Sequence, residues 1–393
     1  AFHTMVNDDF SDRMVVLGRD VAGPPDPAPW AFPLPIPGAF TNPLSGYSNA
    51  DQPESEGGLH AWGPKVYSFD AGGSADVSVS DAAAIVFPRP AFARHAERYD
   101  ETGTTPTLLA NAVYRQEWYP FNFQTRFGLF TCGPSVGQPN APKGRSFRLS
   151  NPDGDVAWQA YPVAANQIGF DPGSAAMYRP DRILVASSND LLPVGQTATL
   201  ESRWIALDST TATWNPSINP MRAPRCNGNL VILPNGHVMA VGGTQKVDAN
   251  NLPNLRPEIW NPYVRDAGTG RVGLWYDEIN GEALASQTRV RGYHGTAILL
   301  PTGQVCSAGG NNDDPGQYIA EIYCPPYLFK DASGALAPRP TLTGFPSVIR
   351  PGVTFTICTT NPSDVTRACL IAPAATTHGF DQNQRYIPLA ITP

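Results

Sequence analysis

The chain has 393 residues, which is enough for a large core and for more than one domain. Only 16% of its residues are charged, and its 36 Gly and 41 Pro exclude a helix-rich protein in favour of many short strands joined by turns. The net charge of -7 argues against a nucleic-acid partner, which would require a basic face. No apolar run approaches the ~18 residues that a membrane-spanning helix needs.

A repeated pattern runs along most of the chain. A turn with Asp, Asn or Gly precedes a short apolar strand that ends in small residues, and a Trp often closes the unit, as at Trp214 and Trp275. The copies of the apolar strand lie at residues 12–18, 127–133, 181–187, 235–243 and 302–310. Units of four strands and roughly 50 residues are typical of a kelch-type β-propeller. The sequence therefore predicts an all-β protein in which residues 1–335 form such a propeller, with six or seven blades and seven favoured.

The repeat stops before the last part of the chain. Residues 336–393 contain alternating, β-branched strands around Val353, Cys358 and Cys369, a pattern that predicts an immunoglobulin-like sandwich. About 55 residues remain, whereas such a domain takes ~100, so the sandwich is expected to be incomplete here. The first residue is Ala1 and not Met, which fits a processed chain.

The cysteines leave two interpretations open. The six cysteines are Cys132, Cys226, Cys306, Cys324, Cys358 and Cys369. They form no zinc-type cluster. The pattern places Cys358 and Cys369 on neighbouring strands of one hairpin, and Cys306 and Cys324 on consecutive strands of one repeat. Two disulfides and an extracellular location are therefore predicted. The alternative is that several are buried free thiols, which are common in protein cores.

The string RGYHG at residues 291–295 carries the main chemical signal. It places Tyr293 beside His294 at the start of an apolar strand, where both side chains can face an end cavity if the backbone twists. A phenolate and an imidazole together suit copper, which accepts N and O donors. A second histidine, His378, lies far along the chain. Each has a simpler role available: Tyr293 as a cap of the propeller end, His294 bonded to backbone, and His378 as support for the turn at Asp381.

Residues 224–388 resemble the galactose oxidase and glyoxal oxidase group of copper-radical oxidases. The RGYH string and the LLPTG that follows it resemble the last-blade segment of that family. Residues 377–389 resemble the loop that dips from the C-terminal domain into the propeller. By this resemblance, Tyr293 is an axial copper ligand, and His294 and His378 are equatorial ones.

Further upstream the resemblance adds a fourth candidate. The string QEWYP at residues 116–120 is similar to an early-blade motif in which the tyrosine is a copper ligand and the radical site. Tyr119 inherits that role, with a blade-packing aromatic as the alternative. The resemblance thus implies one copper ion held by Tyr119, Tyr293, His294 and His378, with Tyr119 and Tyr293 catalytic.

One departure from the family pattern bears on activity. The family cross-links its radical tyrosine to a cysteine one blade earlier, and this chain has no cysteine before Cys132. Three functions are therefore weighed. The first is a secreted copper oxidase that converts a primary alcohol, an aldehyde or a carbohydrate with O2 and gives H2O2. The others are a copper-binding propeller without the Cys–Tyr cofactor, and a non-catalytic extracellular binding or assembly module.

Overall fold

The computed structural model shows an all-β chain. The described residues are 3–6, 14–17, 58–62, 65–69, 95–100, 107–113, 121–132, 146–151, 154–161, 173–187, 197–246, 251–310, 319–330, 334–377, 379–381 and 383–392. No helix in these ranges is long and apolar enough to cross a membrane.

Strands β1 to β10 occupy the first part of the chain. They are β1 (His3–Val6), β2 (Met14–Leu17), β3 (Gly58–Trp62), β4 (Lys65–Phe69), β5 (His95–Asp100), β6 (Thr107–Val113), β7 (Phe121–Thr125), β8 (Gly128–Cys132), β9 (Phe147–Leu149) and β10 (Gln159–Ala160).

Strands β11 to β23 follow. They are β11 (Ser174–Arg179), β12 (Arg182–Ala186), β13 (Ser202–Ala206), β14 (Asn215–Pro216), β15 (Asn229–Ile232), β16 (Val238–Val241), β17 (Glu258–Arg265), β18 (Val272–Tyr276), β19 (Glu278–Ile279), β20 (Glu282–Ala283), β21 (Gly295–Leu299), β22 (Val305–Gly309) and β23 (Glu321–Tyr323).

The last strands are short. They are β24 (Leu342–Gly344), β25 (Cys358–Thr359), β26 (Ala368–Ile371), β27 (Thr376–Thr377), β28 (Phe380–Asp381) and β29 (Tyr386–Leu389), with single 3₁₀ turns at Pro326–Leu328 and Pro362–Asp364.

Most strands form small antiparallel sheets in chain order. The sheets β3–β6, β7–β10, β11–β14 and β15–β18 have four strands each, and β21–β23 has three. Their first strands pack side by side: β3 on β7, β7 on β11, β11 on β15 and β15 on β21. Successive sheets joined along their first strands form the arrangement of a β-propeller, in which the first strand of each sheet is innermost. We call residues 58–323 the propeller-like region; the number of blades stays a prediction.

The core lies between neighbouring sheets. One cluster of buried residues joins β7–β10 to β11–β14, a second joins β11–β14 to β15–β18, and a third joins β15–β18 to β21–β23. Tryptophans reach across these boundaries, as when the Trp275 indole donates to Ser202 Oγ at 2.7 Å and the Trp214 indole to Ser146 Oγ at 2.9 Å. Each sheet therefore buries its faces against its neighbours, and the indole N–H groups of Trp214 and Trp275 find partners across these boundaries.

The disulfide prediction is wrong for this structure, in which all six cysteines are free thiols. Cys358 lies on β25 and Cys369 on β26, and these strands belong to different sheets because β26 pairs with β29. The Cys324 thiol instead accepts a hydrogen bond from Gln304 Nε2 at 3.2 Å. Cys132 and Cys226 are buried, as the free-thiol alternative expects.

The C-terminal part, by which we mean strands β24 to β29, packs onto the propeller-like region through a core contact and through a hairpin. Tyr386 of β29, with Cys369 and Ile371 of β26, joins the core cluster between β11–β14 and β15–β18. The hairpin β27–β28 contacts β11, β15 and β21. These contacts bring the C-terminal part to three of the innermost strands.

Candidate metal centre

Tyr293 and His294 occupy the middle of a tight turn, which we call the Tyr293–His294 turn (residues 292–295). The Gly295 N–H donates to the Gly292 carbonyl at 2.9 Å and closes it. His294 has a φ of 62°, the left-handed conformation, so the backbone twists immediately before β21. The two rings therefore lie beside each other, with centroids 3.8 Å apart and planes tilted by 30°. Tyr293 is half-buried and His294 is exposed, so the turn presents an imidazole and a phenol together at the start of an inner strand.

Arg291 fixes the base of this turn. Its side chain is 1% exposed. It donates to the Gly309 carbonyl at 2.9 Å and to the Ile319 carbonyl, and lies 3.4 Å from the Glu321 carboxylate. The Arg291 carbonyl accepts the Gly243 N–H at 2.6 Å. The backbone before Gly292 is thus held by two neighbouring sheets.

A buried arginine with the same kinds of contacts lies one sheet earlier, and this repetition was not predicted from the sequence. Arg225 donates to the Gly242 carbonyl at 2.8 Å, to the Arg256 carbonyl at 2.6 Å and to Glu258 at 2.9 Å. Its separations from Gly242 and Glu258 are 17 and 33 residues, close to the 18 and 30 that separate Arg291 from Gly309 and Glu321. An arginine ahead of each Gly-Gly strand and a glutamate at the third strand are the sequence signal that identifies the repeat.

The hairpin β27–β28 reaches the starts of the inner strands. Its tip is described at Gly379; His378, which precedes Gly379 in the sequence, lies outside the described residues. Gly379 has a φ of 76°, and a Cβ at this position would lie 2.5 Å from the Gly228 carbonyl oxygen. Ser174 Oγ donates to the Gly379 carbonyl, and Thr376 Oγ1 donates to the Ala297 carbonyl at 3.4 Å. The close approach at Gly379 is one that only glycine permits.

The return strand of the hairpin is organised by Asp381. One of its carboxylate oxygens accepts the N–H groups of Ala375 at 3.1 Å, Asn383 at 2.9 Å and Gln384 at 2.9 Å. Burial raises the pKa of Asp381, and these backbone N–H donors oppose that shift. The turn at Asp381 is thus supported by backbone groups.

The hairpin tip and the Tyr293–His294 turn lie at the same end of the inner strands. Ser174, Asn229 and Gly295 are the first residues of β11, β15 and β21. Asn229 Nδ2 donates to the Gly295 carbonyl at 3.3 Å, while Ser174 holds Gly379. The residues on either side of His378 therefore lie near the strand starts that Tyr293 and His294 precede.

Tyr119 lies outside the described residues. It precedes β7, whose first residue is Phe121, by the same two positions that separate Tyr293 from Gly295 at the start of β21. Among the described residues no three His, Cys, Asp or Glu side chains come together. The candidate donors that the structure describes at this end of the strands are the Tyr293 phenol and the His294 imidazole. Such a donor set fits Cu(II), which takes mixed N and O ligands.

Comparison with known proteins finds similarity to galactose oxidase and to aldehyde oxidases. A profile described as "Galactose oxidase-like, Early set domain" matches residues 339–393. Galactose oxidase from Gibberella zeae is 26% identical over 325 residues, which cover 77% of this chain and 44% of that protein. A putative aldehyde oxidase, Art an 7 from Artemisia annua, is 30% identical over 203 residues, covering 46% of this chain and 31% of that protein.

The chain resembles the galactose oxidase and glyoxal oxidase family.

The fold agrees with that of a solved oxidase structure. A novel fungal alcohol oxidase of the AA5 family, solved in complex with copper, matches with a TM-score of 0.62 and 22% identity, over 84% of this chain and 64% of that one. The likeness supports the all-β, kelch-like fold. The chain spans less than half the length of the curated relatives it matches. The predicted boundary between residues 335 and 336 stays a prediction, although the Early set profile begins close to it.

Proposed function

We propose that this chain is a copper-dependent oxidase that converts a primary alcohol or an aldehyde with O2 and releases H2O2. The observation that carries the proposal is the meeting of two parts of the chain at one end of the inner strands. One part is the Tyr293–His294 turn with its adjacent rings, and the other is the hairpin tip that carries His378. Relatives named galactose oxidase and aldehyde oxidase support the reaction class.

In this proposal Tyr293, His294, His378 and Tyr119 hold one copper ion. Copper supplies one-electron redox chemistry with O2 in such a site. A phenol with an ordinary pKa near ~10 must lose its proton to serve as a ligand, and the charge of a bound metal ion favours that loss. Tyr293 takes the hydroxyl proton of the substrate, because its half-buried phenol lies beside the exposed His294, where solvent and substrate have access. Tyr119, as a one-electron-oxidised phenoxyl, would take a hydrogen atom from the substrate carbon, which removes one electron and the second proton. The single electron that remains would pass to the copper ion held by these residues, and the two electrons and two protons together would convert O2 to H2O2.

A second candidate keeps the metal but not the oxidation. A thioether to the radical tyrosine lowers its oxidation potential, and no cysteine precedes Cys132 in this chain. Cys132 itself is buried in the core, and burial raises the pKa of its thiol well above the usual value, which makes it a poor nucleophile. The chain would then be a copper-binding protein without oxidase activity, and the remaining alternative is a binding and assembly module that holds no copper.

Copper binding tests both candidates directly. We expect wild-type protein to hold one copper ion per chain, and His294→Ala and His378→Ala each to weaken it by ~10-fold or more, since loss of even supporting residues costs that much. His237→Gln is the matched control, because it removes an imidazole that is bonded to Tyr276 and does not belong to the Tyr293–His294 turn. The measurement is elemental analysis together with a competition titration against a chelator.

A peroxide assay then separates the candidates. Copper-loaded protein is supplied with galactose, a simple primary alcohol and a small aldehyde, and H2O2 is measured. Peroxide that disappears in His294→Ala supports the oxidase. Copper binding without peroxide favours the second candidate, and absence of copper binding leaves only the binding module.

An extracellular location is also proposed; its test is recovery of the protein from the culture medium of the source cells.

A further inference from the structure

Gln384 follows the hairpin tip in the sequence, and its side-chain amide forms hydrogen bonds to the backbone of β15, as the backbone of a paired strand would. Its Oε1 accepts the Ile232 N–H at 2.8 Å, and its Nε2 donates to the Ile232 carbonyl at 2.9 Å. The side chain is 5% exposed, and Ile232 is the last residue of β15. One amide group thus satisfies both backbone groups of a residue in an inner strand. This pairing fixes the position of the hairpin along β15.

Ser174 makes a second attachment at the tip itself. Its Oγ donates to the Gly379 carbonyl and accepts the Leu230 N–H at 3.1 Å. The side chain is 4% exposed and belongs to the first residue of β11. Ser174 therefore joins β11, β15 and the residue that follows His378.

The two attachments hold the chain at Gly379 and at Gln384, both on the C-terminal side of His378. Residues 375–384 are drawn together by the three N–H groups that donate to the Asp381 carboxylate. A slip of one residue in a β-ladder moves the chain by ~3.4 Å and turns each side chain to the opposite face. Ligand atoms in a plausible metal site lie within about 0.2 Å of the typical metal–ligand distances. The attachments at Gly379 and Gln384 therefore limit how far the chain that directly follows His378 can shift.

We propose that Ser174 and Gln384 are positioning residues, which set the place of the His378 turn relative to Tyr293 and His294 and thereby set the affinity for copper. Neither side chain contacts the ion in this scheme. The inference rests on the proposed function for its copper readout, and adds to it two residues that act through the backbone of the hairpin.

The test compares Ser174→Ala and Gln384→Met with Ser202→Ala. Ser202 is also buried, and its hydroxyl bonds to Trp275 Nε1 at 2.7 Å and to Ser217 Oγ at 2.6 Å between two sheets. Loss of this hydroxyl lowers stability without touching the hairpin. We expect both positioning variants to weaken copper binding by ~10- to 100-fold, the range typical of supporting residues, and to change the Cu(II) electron paramagnetic resonance spectrum. Ser202→Ala is expected to lower Tm while its copper affinity stays within about twofold of wild type.

Hydrogen exchange of the copper-free proteins gives a second readout. Amides of residues 376–381 should exchange faster in Ser174→Ala and Gln384→Met than in wild type, and at the wild-type rate in Ser202→Ala. Copper affinities that follow Tm across all three variants would overturn the inference, as would unchanged affinities. If wild-type protein binds no copper, the proposed function fails, and the exchange rates alone decide whether the two residues hold the turn.

Discussion

Buried arginines organise the inner ends of two sheets. The Arg225 guanidinium lies 2.9 Å from the Glu258 carboxylate, and the two side chains are 3% and 2% exposed. Burial lowers the pKa of Arg225, and the Glu258 charge opposes that shift. Glu258 also accepts the backbone N–H groups of Arg222 at 2.6 Å and Ala223 at 3.3 Å. Its carboxylate therefore closes the connection between β14 and β15 as well as neutralising a buried cation.

Glu258→Gln should be strongly destabilising. The variant keeps the shape of the side chain but leaves the Arg225 charge buried without its counter-charge, a change that costs about 3–5 kcal/mol. Guanidinium denaturation followed by tryptophan fluorescence measures it. Glu201→Gln is the control, since Glu201 pairs with Arg203 at 3.2 Å but its side chain is 54% exposed. Such surface pairs contribute about 0–1 kcal/mol, so equal losses in the two variants would contradict the assigned role of Glu258.

Local turn chemistry made some elements predictable. The Asn-Gly and Thr-Gly pairs indicated hairpins, and Gly236 and Gly303 indeed have φ values of 80° in the turns that join β15 to β16 and β21 to β22. Each turn requires a residue that tolerates positive φ, and Gly provides it. A two-residue pair within the four residues of the turn is therefore enough to predict the hairpin. The string 291–295 was informative for the same reason, because its backbone twist is local.

Other elements depend on pairings that no local pattern encodes. The Gln384 side chain bonds to Ile232, which lies 152 residues earlier in the chain. The sequence around either residue contains no pattern that predicts this pairing. The disulfide prediction failed at this level, because it assumed that Cys358 and Cys369 share a hairpin, whereas β26 pairs with β29. The propeller-like arrangement was predictable from the repeat, since each copy repeats the same sheet. The contact between the C-terminal part and the propeller-like region could be predicted only from the family resemblance.

The hairpin β27–β28 depends on glycine at its tip. In Gly379→Ala the added methyl group would lie 2.5 Å from the Gly228 carbonyl oxygen, so the tip must move away from β15. Gly352→Ala is matched for backbone strain, because Gly352 has a φ of 75° but no atom within 4 Å of the new methyl group. A positive φ alone costs about 1–2 kcal/mol for an alanine. We expect Gly379→Ala to lose more than Gly352→Ala in thermal unfolding, and only Gly379→Ala to weaken copper binding. Equal behaviour of the two variants would show that the tip is not tightly packed.

At the scale of the whole molecule, the C-terminal part and the propeller-like region share one polar aromatic cluster. His237, in the turn between β15 and β16, bonds to Tyr276 Oη through Nδ1 at 3.1 Å. Tyr263 lies 5.9 Å away between ring centroids, and the guanidinium groups of Arg179 and Arg367 lie 4.6 and 5.4 Å from the Tyr263 ring centre. Arg367 belongs to the C-terminal part, so its charge acts on a histidine of the propeller-like region. A proton on His237 would oppose the contact between the two parts.

This cluster predicts loss of stability in acid. Burial, with the nearby Arg367 charge, lowers the pKa of His237 to about 4, whereas a histidine in an unfolded chain titrates near ~6.5. The unfolded state therefore takes up the proton first as pH falls. The stability contributed by neutral His237 is fully present above ~6.5 and is lost progressively as pH falls toward about 4. Thermal unfolding of wild-type protein and of His237→Gln at a series of pH values isolates this group, because the carboxylates titrate in both. Wild type should lose more Tm across that window than His237→Gln, and parallel profiles would mean that His237 is not held neutral by the cluster.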